Sequence, residues 1–314
     1  MRALSLICIF LVADANGKRR DKDGEGAERV RSEVTAAGST VPTPDIAAKA
    51  VKAESELELE LQDALKDIMA VLQHGSDASK DAAIEKLVQL AVHSSEAGRD
   101  QARLFRSAVV AGDTLQALVP LLGDGNTRRQ HLAASAIHAL AIDDPNTDED
   151  NFHQLEICQS GAVPPLVRLL DSEDPGVQHA ATGALSALAE NPVCQGMIAS
   201  ENAVAPLLAM ASYGPDMQKV GALGALDVLA INNGNVKQQL QEQGATELLS
   251  GISSMGSPLL REEASAFGAR LAEGSTAKLD KAAHVKAARQ TRVRYDGVRQ
   301  RAFRMMQPWN EGST

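Results

Sequence analysis

Two histidines occupy the positions that most nearly suggest a metal site. His131 and His179 begin two similar segments, HLAASAIHALA and HAATGALSALA, which have the apolar periodicity of α-helices. Packed helices lie about 8–10 Å apart, so the two imidazoles are too distant to share a metal ion without rearrangement. We therefore interpret both as partly exposed residues at helix starts, and we predict no metal site and no cofactor.

An acidic stretch, DDPNTDEDN at 143–151, is the second feature that could bind a cation. It lacks the glycine and the bidentate glutamate of an EF-hand loop, so calcium binding is the weakest of three interpretations. A solvated insertion is favoured, and a loop that contacts a partner comes next. The sequence also lacks GxGxxG, GxxxxGK[ST], HExxH, GxSxG and CxxC motifs, which favours a protein without enzymatic activity.

The most specific signal in the sequence is a repeat with a period near 42 residues. Helix-like segments that end at Ala141, Ala189, Ala230 and Ala272 are spaced 48, 41 and 42 residues apart, and the acidic stretch accounts for the longest step. Each unit leaves an apolar face that only a neighbouring unit can cover, so stability is shared along the stack. Cys158 and Cys194 fall at non-equivalent points of their repeats, so we predict that they do not pair.

This pattern resembles the armadillo repeat, with the related HEAT repeat as the nearest alternative. The closest unit is GAVPPLVRLLDSEDPGVQHAATGALSALAENPVCQGMIAS, which starts at Gly161. The resemblance covers roughly residues 60–275 and implies an all-α fold, a right-handed superhelical solenoid of about five armadillo-like repeats. In such a repeat a short first helix is followed by a bend, a second helix and a third helix.

The bend positions have residues that tolerate a positive φ. They are Gly161, Gly244 and, in an earlier unit, Gly112, while Asn202 takes the place of glycine in one unit. Pro164 and Pro165 suit the first turn of a helix, where an amide donor is not needed, and Asp174 with Pro175 should begin a third helix.

The third helices of armadillo arrays line a groove that binds partners, and the resemblance implies the same role here. Family members often carry a Trp in the third helix and an Asn four residues later. The aligned positions in this chain are instead small or apolar, and these six are our candidate groove residues: Ser135, Ala139, Gly183, Ala187, Gly224 and Val228. The absence of these Trp and Asn residues argues against a nuclear-localisation-type peptide and favours a helix or an apolar strip as the bound element.

Charge is divided between an acidic body and a basic tail. Residues 113–272 contain 7 basic and 19 acidic residues, a net charge of −12, whereas residues 278–304 contain 9 basic and 2 acidic residues, a net charge of +7. The acidic array should repel nucleic acid. For the tail we consider a capping helix with a flexible end, docking on the array in competition with partners, and binding to a polyanion or anionic membrane.

The sequence predicts five segments. Residues 1–15 have the pattern of a signal peptide and residues 16–45 that of a disordered linker. Residues 46–75 should form a capping helix or the start of the first repeat, residues 76–275 the repeat array, and residues 276–314 a basic helix with a flexible tail. Leu57, Leu61, Leu65, Ile68 and Leu72 form the apolar stripe of the capping helix. A cleaved signal predicts the secretory pathway or an extracellular location; the alternative is the cytoplasm. No segment reads as a transmembrane helix.

These observations favour a non-enzymatic scaffold that binds an unidentified protein or peptide through the solenoid groove. The alternative is a nucleotide exchange factor or regulator of a heat-shock chaperone, an activity that certain armadillo proteins have. The predicted signal peptide motivates that alternative, although the chain ends in Gly312, Ser313 and Thr314 without a KDEL-type signal. An enzyme would need a further domain, and the residues outside the array are too few and too polar to form one.

Overall fold

The computed structural model describes residues 62–97, 105, 108–109, 113–142, 152–272, 286–292 and 294–295. All regular secondary structure in these ranges is helical. The predicted signal peptide, the linker at 16–45, the acidic stretch at 143–151 and Gly112 lie outside the described residues, so these assignments and the segment boundaries stay predictions. The chain divides into two compact units, 1–117 and 118–314, which we describe separately.

The described part of the first unit contains two long helices. Helix α1 covers residues 62–74 and α2 covers Asp77–Ala97. Leu65, Ile68 and Leu72 are buried along α1, as the apolar stripe predicts; Leu57 and Leu61 lie outside the described residues. A short helix, α3 at Thr114–Leu118, follows close to the boundary between the units.

The second unit repeats a pattern of three helices. A 3₁₀ turn at Val119–Gly123 and α4 (Thr127–Ala141) come first. Three complete sets follow: α5 (Phe152–Gln159), α6 (Val163–Leu169) and α7 (Pro175–Leu188); α8 (Pro192–Ser200), α9 (Val204–Tyr213) and α10 (Asp216–Ala230); and α11 (Gly234–Glu242), α12 (Ala245–Met255) and α13 (Pro258–Ala272). Residues 286–292 form a further helical segment, α14.

Local sequence explains where these helices begin. Asp174 accepts hydrogen bonds from the backbone amides of Gly176 and Val177 at the start of α7, and Asn126, Asn191 and Asn233 cap α4, α8 and α11 in the same way. The three bends between first and second helices have left-handed φ values: +84° at Gly161, +60° at Asn202 and +78° at Gly244. These predictions are confirmed, as is the place of Pro164 in the first turn of α6.

The third helices form the spine of the second unit. Helix α4 contacts α7, α7 contacts α10, and α10 contacts α13. Their buried positions combine alanines with larger residues such as Ile137, Leu185 and Leu226. Small side chains allow these helices to approach closely, while the larger ones fill the space between them. The repeat thereby presents one face of α4, α7 and α10 in consecutive order.

Cys158 and Cys194 form a disulfide with a Cα–Cα distance of 5.9 Å, so the prediction that they do not pair was wrong. Cys158 lies near the end of α5 and Cys194 near the start of α8, and these consecutive first helices contact each other. Residues at different turns of the two helices can therefore face one another, and two cysteines need not occupy equivalent repeat positions to form a disulfide. Both cysteines are fully buried.

Two properties of the described residues concern metal binding and membrane crossing. No group of three or more His, Cys, Asp or Glu residues in these ranges is arranged to hold a metal ion. His131 is exposed and His179 is half-buried, each in the first turns of its third helix. None of the described helices is both long enough and apolar enough to cross a membrane.

Candidate partner-binding groove

The six candidate groove residues lie on three neighbouring third helices. Ser135 and Ala139 lie on α4, Gly183 and Ala187 on α7, and Gly224 and Val228 on α10. Each pair is spaced by four residues, which places both members on the same face of their helix. The second unit therefore brings the six positions together, although contact with a partner stays a prediction.

Their accessibility differs along this face. Ser135 and Ala139 are half-buried, whereas the pairs on α7 and α10 are buried. Because Ala187 and Val228 have no exposed surface, large polar substitutions there would disturb internal packing. Substitutions at these two positions therefore cannot test partner binding alone, and the α4 pair is the better place to probe it.

The two glycines leave space that neighbouring side chains occupy. A β-carbon on Gly183 would lie 3.0 Å from Cε1 of His138 on α4. A β-carbon on Gly224 would lie 2.8 Å from Cγ of Tyr295, close to the ring's attachment to the backbone. The C-terminal segment therefore approaches α10 closely at Gly224. The absence of a larger residue at this position makes that approach possible.

The C-terminal segment, residues 286–292 with 294 and 295, lies on α7, α10 and α13. Its contact with α7 is centred on Glu190, which follows that helix and has no exposed surface. Arg289 Nε donates to Glu190 Oε2 at 3.3 Å, and Arg292 Nε donates to Glu190 Oε1. Both arginines and Ala288 are buried as well. One carboxylate therefore accepts hydrogen bonds from two guanidinium groups spaced by three residues on a helix.

Two further carboxylates extend this charged surface. Arg294 Nη2 lies 2.6 Å from Glu263 Oε2 on α13. Asp227 on α10 forms a bidentate pair with Arg270 of α13: Nε donates to Oδ1 at 3.0 Å and Nη2 donates to Oδ2. We call Glu190, Asp227 and Glu263 the acidic row. All three are buried.

Burial controls the ionisation of the acidic row. Desolvation raises the pKa of Glu190, while Arg292 and Arg289 act in the opposite direction. Desolvation likewise raises the pKa of Asp227 against the effect of Arg270, and that of Glu263 against the effect of Arg294. In each case the lost hydration outweighs the attraction of the cations. These carboxylates therefore need cationic partners for as long as water is excluded from them.

Sequence reasoning missed the acidic row and Arg270. Aligning the last alanines of the third helices puts Arg270 at the position of Ala187 and Val228, so the alignment could have identified it. Asp227 directly precedes Val228. The opposed charges of body and tail were visible, and the structure shows which residues pair. It places Arg289 and Arg292 of the basic tail on the array, a position that both the capping-helix and the docking interpretations predict.

Comparison with known proteins identifies the repeat. Residues 153–190 match the family model described as Armadillo/beta-catenin-like repeat. A comparison with curated proteins gives no match. The fold is similar to a computationally designed armadillo repeat protein for modular peptide recognition, with 21% identity, a TM-score of 0.56, and coverage of 84% of this chain and 98% of that chain.

Two other solved structures show the same likeness. One is a designed armadillo repeat protein in complex with the peptide (KR)4, with 22% identity, a TM-score of 0.56, and coverage of 84% of this chain and 97% of that chain. The other is an armadillo repeats only protein from Plasmodium falciparum, at 15% identity and a TM-score of 0.49, with 60% and 80% coverage. With the three-helix repeats, the αL bends and the match of residues 153–190 to the armadillo repeat model, the described residues have the armadillo solenoid fold.

Proposed function

We propose that this chain is a non-enzymatic interaction scaffold whose groove of third helices binds a segment of another protein. The observation that carries this proposal is the C-terminal segment, which packs on α7, α10 and α13 as a bound peptide would. The surface thus has the shape and charges needed to hold a helical segment. Two proteins of similar fold, an armadillo repeat protein designed for modular peptide recognition and one in complex with the peptide (KR)4, give the proposal further support.

The α4 end of the groove is where a partner can make first contact. Ser135 and Ala139 are half-buried, while the corresponding positions on α7 and α10 are covered. A small side chain there leaves room for an approaching backbone or apolar residue. The exposed surface at α4 and the acidic row together define a path along consecutive third helices.

Site-specific photo-crosslinking tests this assignment. A crosslinking amino acid placed at Ser135 should capture partner protein when the full chain is exposed to an extract of its native source. The same amino acid at Tyr213, which is 91% exposed at the end of the second helix α9, is the matched control and should capture little. Capture of partner at Tyr213 and not at Ser135 would show that the second helices, and not the third helices, form the binding site.

We also propose that the mature chain functions in the secretory pathway or outside the cell. The Cys158–Cys194 disulfide supports an oxidising environment, because disulfides persist there and are rare in the cytosol. N-terminal sequencing of protein from its native source should begin near Asn16, just after the predicted signal peptide. An intact Met1 on cytosolic protein would contradict this location.

A further inference from the structure

We propose that residues 286–295 act as an internal competitor for the groove, and that the groove accepts a partner helix with two arginines three residues apart and a following aromatic ring. This inference rests on the proposed function and goes further, because it assigns the partner's chemistry and a means of regulating access. The arrangement of Arg289, Arg292 and Tyr295 around Glu190 and Gly224 carries it.

The recognition chemistry is set by the array. Glu190 has no exposed surface, so an unpaired carboxylate under a covering segment would be strongly unfavourable. Two arginine side chains satisfy it here, and each donates through Nε. A lysine has a single ammonium group on a flexible stem and cannot reproduce this geometry. Any helix that replaces the segment must therefore bring guanidinium groups at the same spacing.

The aromatic requirement comes from Gly224. Tyr295 Cβ and Cγ lie 2.9 and 2.8 Å from where a β-carbon on Gly224 would be, so the ring occupies space that other residues would fill. Tyr295 is almost fully buried. Its position six residues after Arg289 places it over α10 while the arginines contact the end of α7. A partner that lacks an aromatic residue at this spacing would leave the space beside Gly224 unfilled.

The segment is attached to the array that it covers. Thirteen residues, 273–285, connect it to α13 and can span at most about 43–47 Å. Tethering over a distance of this order gives an effective concentration of about 1 mM. A partner in solution must compete with the tethered segment. Its apparent affinity is its intrinsic affinity multiplied by the fraction of molecules in which the groove is free. Occupancy by the segment thereby sets a threshold for partner binding.

Cleavage of the connection provides the central test. A protease site is placed within residues 273–285 of the full chain, which is purified folded and then cut, and the uncut protein is the matched control. The released segment is removed by size-exclusion chromatography, and binding of a nanomolar fluorescent peptide of residues 284–297 is then measured by fluorescence anisotropy against increasing protein. Cutting and removal of the segment should tighten the apparent Kd on the order of 10- to 100-fold. A cut segment that stays with the array through the column, or equal peptide affinity before and after cutting, would overturn the competitor role.

Substitutions test the chemistry without cleavage. In the uncut chain, Arg289→Ala with Arg292→Ala should increase peptide affinity, whereas Arg168→Ala, which removes an exposed arginine on the second helix α6, should leave it unchanged. A peptide with lysine in place of Arg289 and Arg292 should bind the cut chain at least 10-fold more weakly than the native peptide. Equal binding of the two peptides would overturn the arginine requirement. Circular dichroism of each variant checks that the helices are intact.

Two results separate this inference from its alternatives. If the uncut chain is a dimer at micromolar concentration and the double arginine variant is a monomer, the segment is exchanged between copies and the internal competitor is refuted. If peptide binding fails but photo-crosslinking from Ser135 succeeds, the scaffold function stands and only the assigned partner chemistry is wrong. A monomer with peptide binding that depends on cutting supports the inference.

Discussion

The two ends of the candidate groove differ in charge and in cover. At the α4 end, Ser135 and Ala139 are neutral and half-buried, and His138 packs over Gly183. At the other end, from Glu190 after α7 to Glu263 on α13, the acidic row is buried beneath arginines and Tyr295. Both ends are built from the same repeated helix. The difference shows that the repeat supplies the surface, while a few substituted positions decide what the surface can hold.

The disulfide links the repeat that contains α7 to the repeat that contains α10, and breaking it should have the largest effect. Replacing Cys158 and Cys194 with alanine removes a closure between residues 36 apart and should lower the free energy of unfolding by about 3–4 kcal/mol. Denaturant unfolding under non-reducing conditions measures this loss. Under reducing conditions the wild-type chain and the variant should converge, and a difference that persists there would attribute the loss to packing.

A smaller effect is expected from the ion pairs at the two ends. Arg270→Ala leaves Asp227 buried without its bidentate partner and should cost about 3 kcal/mol. The matched variant at the α4 end is Arg129→Ala, which removes the cation 2.5 Å from Asp124. The side chain of Asp124 is 28% exposed and can be hydrated, so that loss should be about 1 kcal/mol. Equal losses of unfolding free energy in urea would show that burial of the carboxylate does not determine the cost of removing its arginine.

The repeat was predictable from sequence because it depends on local patterns. Gly161, Asn202 and Gly244 could be assigned to bends since few residues adopt a positive φ, and Asp174 could be assigned to a helix start since its side chain caps amides. The Cys158–Cys194 pair depends on how two first helices pack. The two cysteines occupy different positions in their repeats, and this was wrongly taken to mean that they are far apart in space.

The candidate site was predictable only in part. The register of the third helices gave the six small or apolar positions, but register does not show which of them another segment covers. Glu190 lies beyond the end of α7, and its partners Arg289 and Arg292 are about 100 residues away in sequence. Contacts of such long range depend on the route of the chain after α13, which no local pattern specifies.

Alanine substitution of the two glycines compares the ends directly. Gly224→Ala should displace Tyr295 and cost about 1–2 kcal/mol, since the new β-carbon meets Cγ and Cβ rather than a movable end of the side chain. Gly183→Ala meets the ring of His138, which can move, and gains helix propensity, so its stability should change by less than about 1 kcal/mol. Hydrogen exchange should show faster exchange at residues 286–295 in the first variant only. Faster exchange in both variants would mean that the segment also depends on the α4 end.

The last prediction is a pH dependence of stability that comes from the acidic row. The pKa values of Glu190, Asp227 and Glu263 are raised in the folded chain, mainly by burial, with the neighbouring arginines 289, 292, 270 and 294 opposing the shift. A glutamate has an ordinary pKa of 4.5, so above that pH the folded state holds more protons than the unfolded state. The stability contributed by these groups is fully present below the ordinary value and is lost as pH rises through the folded value.

The free energy of unfolding should therefore fall as pH is raised from about 4 towards neutrality, by at most about 1.4 kcal/mol per pH unit for each group. Urea unfolding across this range measures the slope. Glu263→Gln removes one of the three groups while its partner Arg294, with a side chain 34% exposed, keeps access to water, so the slope should become shallower. Asp171→Asn changes an exposed carboxylate outside the acidic row and should leave the slope unchanged. A free energy of unfolding that increases with pH over this range would mean that the arginines, rather than burial, dominate the acidic row.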